Sequence, residues 1–209
     1  MISPSISPSD CRSDLSAGTF KGDHPEHGLL FEPGYNDLVL RTNDEYQRWK
    51  NYLRDNPRRF LMKREHPELL RPFFGFQQGT HICNGIGNRA LLDAPQRIAV
   101  RISRRFVGKR LEDEVTRYLE AARRGAVLIS PSISPGEKLV MRQAFNEKLP
   151  VIVIVHNGFA PLSKPKGEQF DACAEGRLLM LSTREHSNER IPLTAHDCEQ
   201  MNLLALELA

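Results

Sequence analysis

The chain has 209 residues, of which 40% are hydrophobic and 26% are charged, as in an ordinary globular protein. No apolar run approaches the ~18–20 residues of a membrane-spanning helix, and no basic-then-apolar leader opens the sequence. The four cysteines form no Cys-x-x-Cys pair, which excludes a zinc ribbon or a thioredoxin-type motif. These features predict a cytoplasmic protein with reduced thiols and no membrane association.

The net charge of +3 is unevenly distributed along the chain. Residues 41–71 contain nine Lys/Arg against five Asp/Glu, and residues 97–124 contain nine against four. Basic stretches of this kind indicate either an anionic partner or solvated helix faces, and charge alone favours neither.

The first part of the chain divides into three predicted segments. Residues 1–30 are rich in Ser, Pro and Gly and are predicted to be a disordered head, because they offer little apolar surface to bury. Residues 31–70 are predicted to be helical, with one helix that ends at Asn56-Pro57 and a second short helix after it. Residues 71–87 contain proline and Phe-Phe-Gly breaks and are predicted to be a linker.

Residues 88–209 alternate between strand-like and helix-like patterns. The predicted strands are 98–103, 126–129, 151–155 and 177–181, and the predicted helices are 108–124, 135–148 and 194–208. Strands that alternate with helices predict an α/β domain, here a small Rossmann-like parallel sheet of about four strands with flanking helices.

The carboxyl ends of the first three predicted strands should lie side by side. Ligands of open parallel sheets bind at this edge, and helix N-termini attract phosphate. We therefore predict a phosphate or nucleotide site, whose residues are Ser103, Arg104, Ser130, Ser132, Ser134 and Gly136. The alternative is that these serines simply cap a helix, since the chain has no GxGxxG or GxxxxGK[ST] motif.

A second candidate site surrounds Tyr52, near the end of the first predicted helix. The cations close to it in sequence are Arg48, Lys50, Arg54, Arg58 and Arg59. Cations stabilise a phenolate and the charge of an attacked phosphodiester, so Tyr52 is a candidate catalytic nucleophile and the cations are candidate DNA-binding residues. The alternative is that Tyr52 packs in a core with the other aromatic residues on its helix face. No metal site and no other cofactor are predicted for this chain.

Three motifs in this region resemble single-tyrosine HUH transposases of the REP-associated class. The motifs are FEPGYND at 31–37, VLRTNDE at 39–45 and NYLRDNP at 51–57. The resemblance implies that Tyr52 forms a covalent phosphotyrosine with single-stranded DNA, and that residues 31–70 are a helical remnant of a ferredoxin-like domain. The family's metal ligands are a His-hydrophobic-His pair before the tyrosine, and this chain has no His-x-His. We therefore expect an N-terminally truncated family member, or a decayed one whose start was replaced, that does not cleave DNA by itself.

The second half contains three segments that are similar to the Rossmann-like domain of DNA-processing protein A. These segments are GNRALL at 87–92, IAVRISR at 98–104 and VLIS at 127–130. The resemblance implies a site for phosphate or single-stranded DNA near Ser103, Arg104, Ser130 and Gly136. The family's glycine before the Ser-Arg pair is Ile102 here.

Both resemblances predict a transposase-like protein that binds single-stranded or hairpin DNA, with a homodimer left open. One alternative is a nucleotide-binding or nucleotide-processing Rossmann-like domain with a vestigial N-terminal extension. Another is an inactive fragment that a protein partner holds through exposed phenylalanines.

Overall fold

The computed structural model describes residues 41–209. Asp55–Ala209 forms one compact unit, and the described residues before it belong to another. The predicted head at 1–30 and the first ten residues of the predicted 31–70 segment lie outside the described residues. No described helix has the length and apolar character that crossing a bilayer requires.

The Asp55–Ala209 unit is built on a mixed six-stranded sheet. Its order is β1-β2-β6-β5-β4-β3, and the strands are β1 (Phe73–Gln78), β2 (His81–Gly87), β3 (Arg97–Ala99), β4 (Val127–Ser130), β5 (Val151–Ile154) and β6 (Leu178–Ser182). Strands β3, β4, β5 and β6 are parallel to one another, whereas β2 is antiparallel to both β6 and β1. The predicted four parallel strands are present, with two antiparallel strands added at one side.

Six α-helices occur among residues 41–209. They are α1 (Asn43–Glu65), α2 (Pro67–Leu70), α3 (Lys109–Arg123), α4 (Pro135–Asn146), α5 (Glu168–Ala174) and α6 (Ala195–Glu207). A 3-10 helix, Arg89–Asp93, precedes β3. Local signals explain several ends: Ser134 and Thr194 cap α4 and α6 with capping boxes, and Gly125 takes a φ of 102° just after α3.

The sheet separates two apolar layers. Side chains of β4, β5 and β6 alternate between them, as Leu128 faces the layer with α3, α4 and α5 while Ile129 faces the layer with α6. The parallel strands follow one another in a single direction across the sheet, so right-handed crossovers place the three connecting helices on the same face. Each parallel strand therefore ends at one common edge, here named the carboxyl edge.

Residues 71–87 are not a linker, because they form β1 and β2. The Phe-Phe-Gly sequence that suggested a break is a β-bulge, where the register shifts between Phe73 and Phe76 and Gly75 takes a φ of 64°. Phe73 and Phe76 also pack against the α6 layer of the core. The prediction failed because a bulged edge strand has the same local composition as a loop.

Two helix predictions also need correction. Helix α1 continues through Pro57 to Glu65 instead of ending at Asn56-Pro57. Asp55 pairs with Arg58 and Arg59 one turn further on, and these ion pairs favour the helix across the proline. No helix was predicted between the strands 151–155 and 177–181, yet α5 lies there and its Phe170 is fully buried.

Candidate nucleic-acid interface

The carboxyl edge is basic in the segments that follow β3 and β5. The segments 100–110 and 155–167 follow these strands and contain seven Lys/Arg but no Asp or Glu. The seven are Arg101, Arg104, Arg105, Lys109, Arg110, Lys164 and Lys166, all exposed and none paired with a carboxylate of the described residues. This edge therefore presents uncompensated positive charge.

Most of this charge lies in the segment between β3 and α3. The Ser103 Oγ accepts a hydrogen bond from the N–H of Arg105 at 3.3 Å, which folds the chain into a tight turn. The Arg110 guanidinium stacks over the Phe106 ring, with its central carbon 3.9 Å from the ring centroid. Val107 at the tip of the loop is 75% exposed. The loop thus combines cations, an aromatic ring and an apolar tip.

The N-terminus of α3 has no side-chain cap. Its N-cap is Gly108, which offers no side-chain oxygen to the first N–H groups, and the first turn contains the cations Lys109 and Arg110 together with the acid Glu112. Carboxylates usually occupy such positions, because the helix dipole favours negative charge there. The dipole and the two cations therefore reinforce each other at α3.

The N-terminus of α4 is already occupied by a carboxylate of the chain itself. One Glu137 oxygen accepts the N–H groups of Ile133 and Ser134 at 2.9 and 3.1 Å, and the Ser134 Oγ accepts the Glu137 N–H at 3.2 Å. Glu137 is buried. The donors that a phosphate would need at α4 are consequently engaged.

The other residues of the predicted phosphate site also have structural partners. Ser130 is fully buried and its Oγ accepts the N–H of Ser132, a residue with a φ of 54°. A Cβ on Gly136 would lie 2.5 Å from the Cγ2 of Ile102, so glycine is required there for packing. Ser103 and Arg104 are exposed at the end of the segment after β3. Arg104 is therefore exposed and pairs with no carboxylate of the described residues, whereas the serine loop after β4 caps a helix.

Beyond β5 and β6, the carboxyl edge is held by internal contacts. The Asn157 side chain exchanges two hydrogen bonds with the backbone of Ser187, at 2.8 and 3.0 Å. His156 Nε2 lies 2.6 Å from an Arg184 nitrogen and 3.3 Å from Asp197 Oδ2. The Thr194 hydroxyl and backbone N–H, both bonded to this carboxylate, lower the pKa of Asp197 to about 2. These groups anchor the segment between β6 and α6.

A hollow of about 500 Å³ lies between α4 and α5 on the same side of the sheet. Its floor is apolar and includes Met141, Val153 and Met180. Its rim carries the cations Lys138, Arg142 and Lys166, along with Ser132 and Glu168. None of the three cations pairs with a carboxylate of residues 41–209.

The residues predicted around Tyr52 lie on α1. Tyr52 is 51% exposed, and none of the described residues 43–65 is buried, so core packing of this tyrosine is not observed. Arg48, Lys50 and Arg54 are exposed and pair with no described carboxylate. No cluster of three or more His, Cys, Asp or Glu suited to a metal ion occurs within residues 41–209.

Arg58 and Arg59 are engaged in ion pairs within the Asp55–Ala209 unit. Arg58 bonds Asp55 at 2.7 Å and Asp171 of α5 at 2.5 Å, and Arg59 bonds Asp55. The Arg59 guanidinium also lies over the Phe170 ring, 4.5 Å from its centroid. These contacts give both arginines a structural role in joining α1 to α5, and their DNA-binding role stays a prediction.

Sequence reasoning named Arg104 but not its neighbours Arg101, Arg105, Lys109 and Arg110. The signal was available, since all five fall in the basic stretch 97–124. What the sequence did not reveal is that acids elsewhere in that stretch neutralise other cations, as Glu114 does for Arg117.

No protein-family model and no curated protein matches the chain. Among solved structures, the chain resembles DNA processing protein A from Helicobacter pylori, a structure described by its unique single-stranded DNA binding mode. The sequence identity is 19% and the TM-score is 0.45, with 64% of this chain and 60% of that chain covered. The chain thus spans less than two thirds of that protein's length. A likeness of this size does not decide a function, which has to be inferred from the residues of this chain.

Proposed function

We propose that this protein binds single-stranded DNA along the carboxyl edge of its parallel sheet. The observation that carries the proposal is the set of seven exposed cations in the segments that follow β3 and β5, which contain no acid and pair with no carboxylate of residues 41–209. Several cations spread over two strand ends of one sheet edge fit a polymer of phosphates better than a single small anion.

The apolar groups at the same edge support a single strand over a duplex. Val107 and Leu162 are 75% and 87% exposed, and each lies in a loop that also carries cations. In a duplex the base faces are stacked on one another, whereas an unpaired strand offers them to apolar and aromatic side chains. Phe106, already stacked against Arg110, is the third such group.

The test is fluorescence anisotropy with a labelled oligothymidine of about 20 nucleotides at 50 and 200 mM salt. The variant is Arg104→Glu/Arg105→Glu, and the control is Arg123→Glu/Arg124→Glu, which makes the same charge change at the opposite end of α3. Each lost phosphate contact flattens the salt dependence by about 0.7 logarithmic units per tenfold change in salt. We expect the variant to bind about tenfold more weakly with a slope reduced by ~1.4. Equal losses in variant and control would refute the proposed edge site.

Transposase-like chemistry at Tyr52 is the finer part of the sequence hypothesis and is tested separately. Incubation with a DNA hairpin and a divalent cation, followed by denaturing electrophoresis, detects a covalent protein–DNA adduct. We expect no adduct, because the chain has no His-x-His motif to hold the metal that the resembling family uses. An adduct that disappears in Tyr52→Phe would show that the tyrosine is a working nucleophile.

A second candidate function is the binding of a nucleoside phosphate in the hollow between α4 and α5. The observation in its favour is the apolar floor beside the cations Lys138, Arg142 and Lys166, the combination that a base and a phosphate require. A ligand at ten times its Kd stabilises the folded state by about 1.4 kcal/mol. AMP should therefore raise the Tm by ~3–6 °C, and Arg142→Glu should abolish the rise. An unchanged Tm at millimolar AMP would exclude this candidate.

A further inference from the structure

The first three turns of helix α1 expose a stripe of aromatic rings. Tyr46, Trp49 and Tyr52 are 50%, 42% and 51% exposed, although large aromatic side chains on a helix usually cover a core. They are spaced three residues apart, so with about 100° of rotation per residue they span an arc of about 120°. The stripe is therefore a continuous surface and not a set of scattered side chains.

The rings lie close enough to act together. The centroids of Trp49 and Tyr52 are 5.6 Å apart, with the ring planes at 84° in an edge-to-face arrangement. Together with Glu45 and Arg48 they line a hollow of about 390 Å³, a volume that admits a nucleobase with its sugar. The Lys50 ammonium lies 5.9 Å from the Tyr46 ring centroid.

Cations flank the stripe on both sides. By helical rotation Arg48 lies beyond Tyr52 on one border, while Lys50 and Arg54 lie beyond Tyr46 on the other. The nearby acid is committed elsewhere, since one Glu45 oxygen accepts the N–H groups of Arg41 and Thr42 at the start of the helix, at 2.8 and 3.3 Å. The surface thus presents aromatic faces between two positive borders.

We propose that this stripe is a base-stacking platform for a single strand of nucleic acid, with phosphates held by Arg48, Lys50 and Arg54. The proposal rests on the proposed function for its ligand class but assigns a second binding surface, formed by residues of α1. Stacking on aromatic rings recognises any base, because every base has a π-face. Charge complementarity favours this occupant over a protein partner, whose apolar interface would be flanked on both sides by cations that pair with no carboxylate of the described residues.

The chain itself supplies the reporter, because Trp49 is its single tryptophan. Oligothymidine is titrated into the full chain while indole emission is followed, in parallel with the anisotropy of a labelled oligonucleotide. The variants are Tyr46→Ala and Tyr52→Ala, and Tyr52→Phe preserves the ring. The matched control is Phe74→Ala, which removes a 50% exposed ring from β1. All of these side chains are exposed, so each variant is expected to fold, and its thermal unfolding confirms it.

We expect saturable quenching of Trp49, and about tenfold weaker binding for Tyr52→Ala, with Tyr52→Phe and Phe74→Ala close to the wild type. Anisotropy binding without any change in Trp49 emission would overturn the platform and leave the carboxyl-edge proposal standing. If oligothymidine quenches Trp49 in Arg104→Glu/Arg105→Glu with the same affinity as in the wild type, the result would support the platform and overturn the edge site. Emission that shifts with protein concentration and not with oligonucleotide would overturn the platform and indicate self-association through the stripe.

Discussion

Replacing Glu137 by alanine tests whether the serine loop after β4 is a helix cap or an anion site. The substitution removes a buried carboxylate that accepts the N–H groups of Ile133 and Ser134 at 2.9 and 3.1 Å. Each donor left without a partner costs about 1–3 kcal/mol when buried. We expect the free energy of unfolding to fall by about 2–4 kcal/mol, which lowers the Tm of a chain of this size by roughly 5–15 °C.

Two measurements separate a cap from a simple loss of packing. Glu137→Gln keeps one oxygen acceptor at the same place, so it should lose about half as much stability as the alanine variant. Removing the carboxylate also frees the donors at the start of α4, so inorganic phosphate should stabilise Glu137→Ala by about 1.4 kcal/mol at ten times its Kd. The wild type should gain nothing beyond the effect of sodium chloride at equal ionic strength.

A free energy of unfolding for Glu137→Ala within about 0.5 kcal/mol of the wild type would show that the two hydrogen bonds do not stabilise the fold. The helix-cap assignment would also be overturned if inorganic phosphate stabilised the wild type beyond the effect of sodium chloride at equal ionic strength. That second result would restore the phosphate site predicted at Ser130, Ser132 and Ser134.

Three further predictions concern stability and the role of charged groups. Asp197→Asn should reduce the fall in Tm that the wild type shows as the pH drops from ~4 to ~2. The Asp197 carboxyl, whose pKa is lowered from 3.8 to about 2, stabilises the fold above pH ~4 and loses this contribution as the pH falls towards 2. Measurements of Tm from about pH 2 to 6 test this. Gly87→Ala should lower the urea midpoint by the equivalent of about 2 kcal/mol or more, because its φ is 120° and a Cβ would lie 2.2 Å from the Leu178 carbonyl oxygen; an unchanged midpoint would contradict the backbone geometry. Arg58→Ala should lower the free energy of unfolding by at most ~1 kcal/mol, since the ion pair between Arg58 and Asp171 is half exposed. The same variant should change DNA affinity less than twofold. A tenfold loss of binding in a folded variant would place Arg58 in the interface.

The elements that the sequence predicted correctly are those whose signals are local. The run Val151–Val155 indicated a strand buried on both faces, and β5 is Val151–Ile154 in the interior of the sheet. The last helix was predicted to begin at residue 194, and Thr194 caps α6 there, because its Oγ accepts the Asp197 N–H. Periodicity and capping depend on residues within a few positions of each other, so they are visible before any tertiary contact forms.

The elements that were missed depend on partners far away in the chain. Strand β2 exists because Gly85 and Gly87 lie against Leu181 and Leu179 of β6, almost a hundred residues later. Helix α5 follows a Pro/Lys/Gly-rich loop and is stabilised by Phe170, which packs in the core and beneath Arg59. Neither contact leaves a local pattern in the sequence.

The sequence by itself determined which residue types could bind an anion: two basic stretches, a serine loop after a strand, and a tyrosine among arginines. Only the tertiary structure decided which of these groups are free. It commits Glu137 and Ser134 to a helix cap and Arg58 to Asp171, while the cations after β3 keep no acidic partner among the described residues. The physical reason is that a charge binds a ligand only where the fold has not already neutralised it, and that compensation is made between elements that the chain brings together on folding.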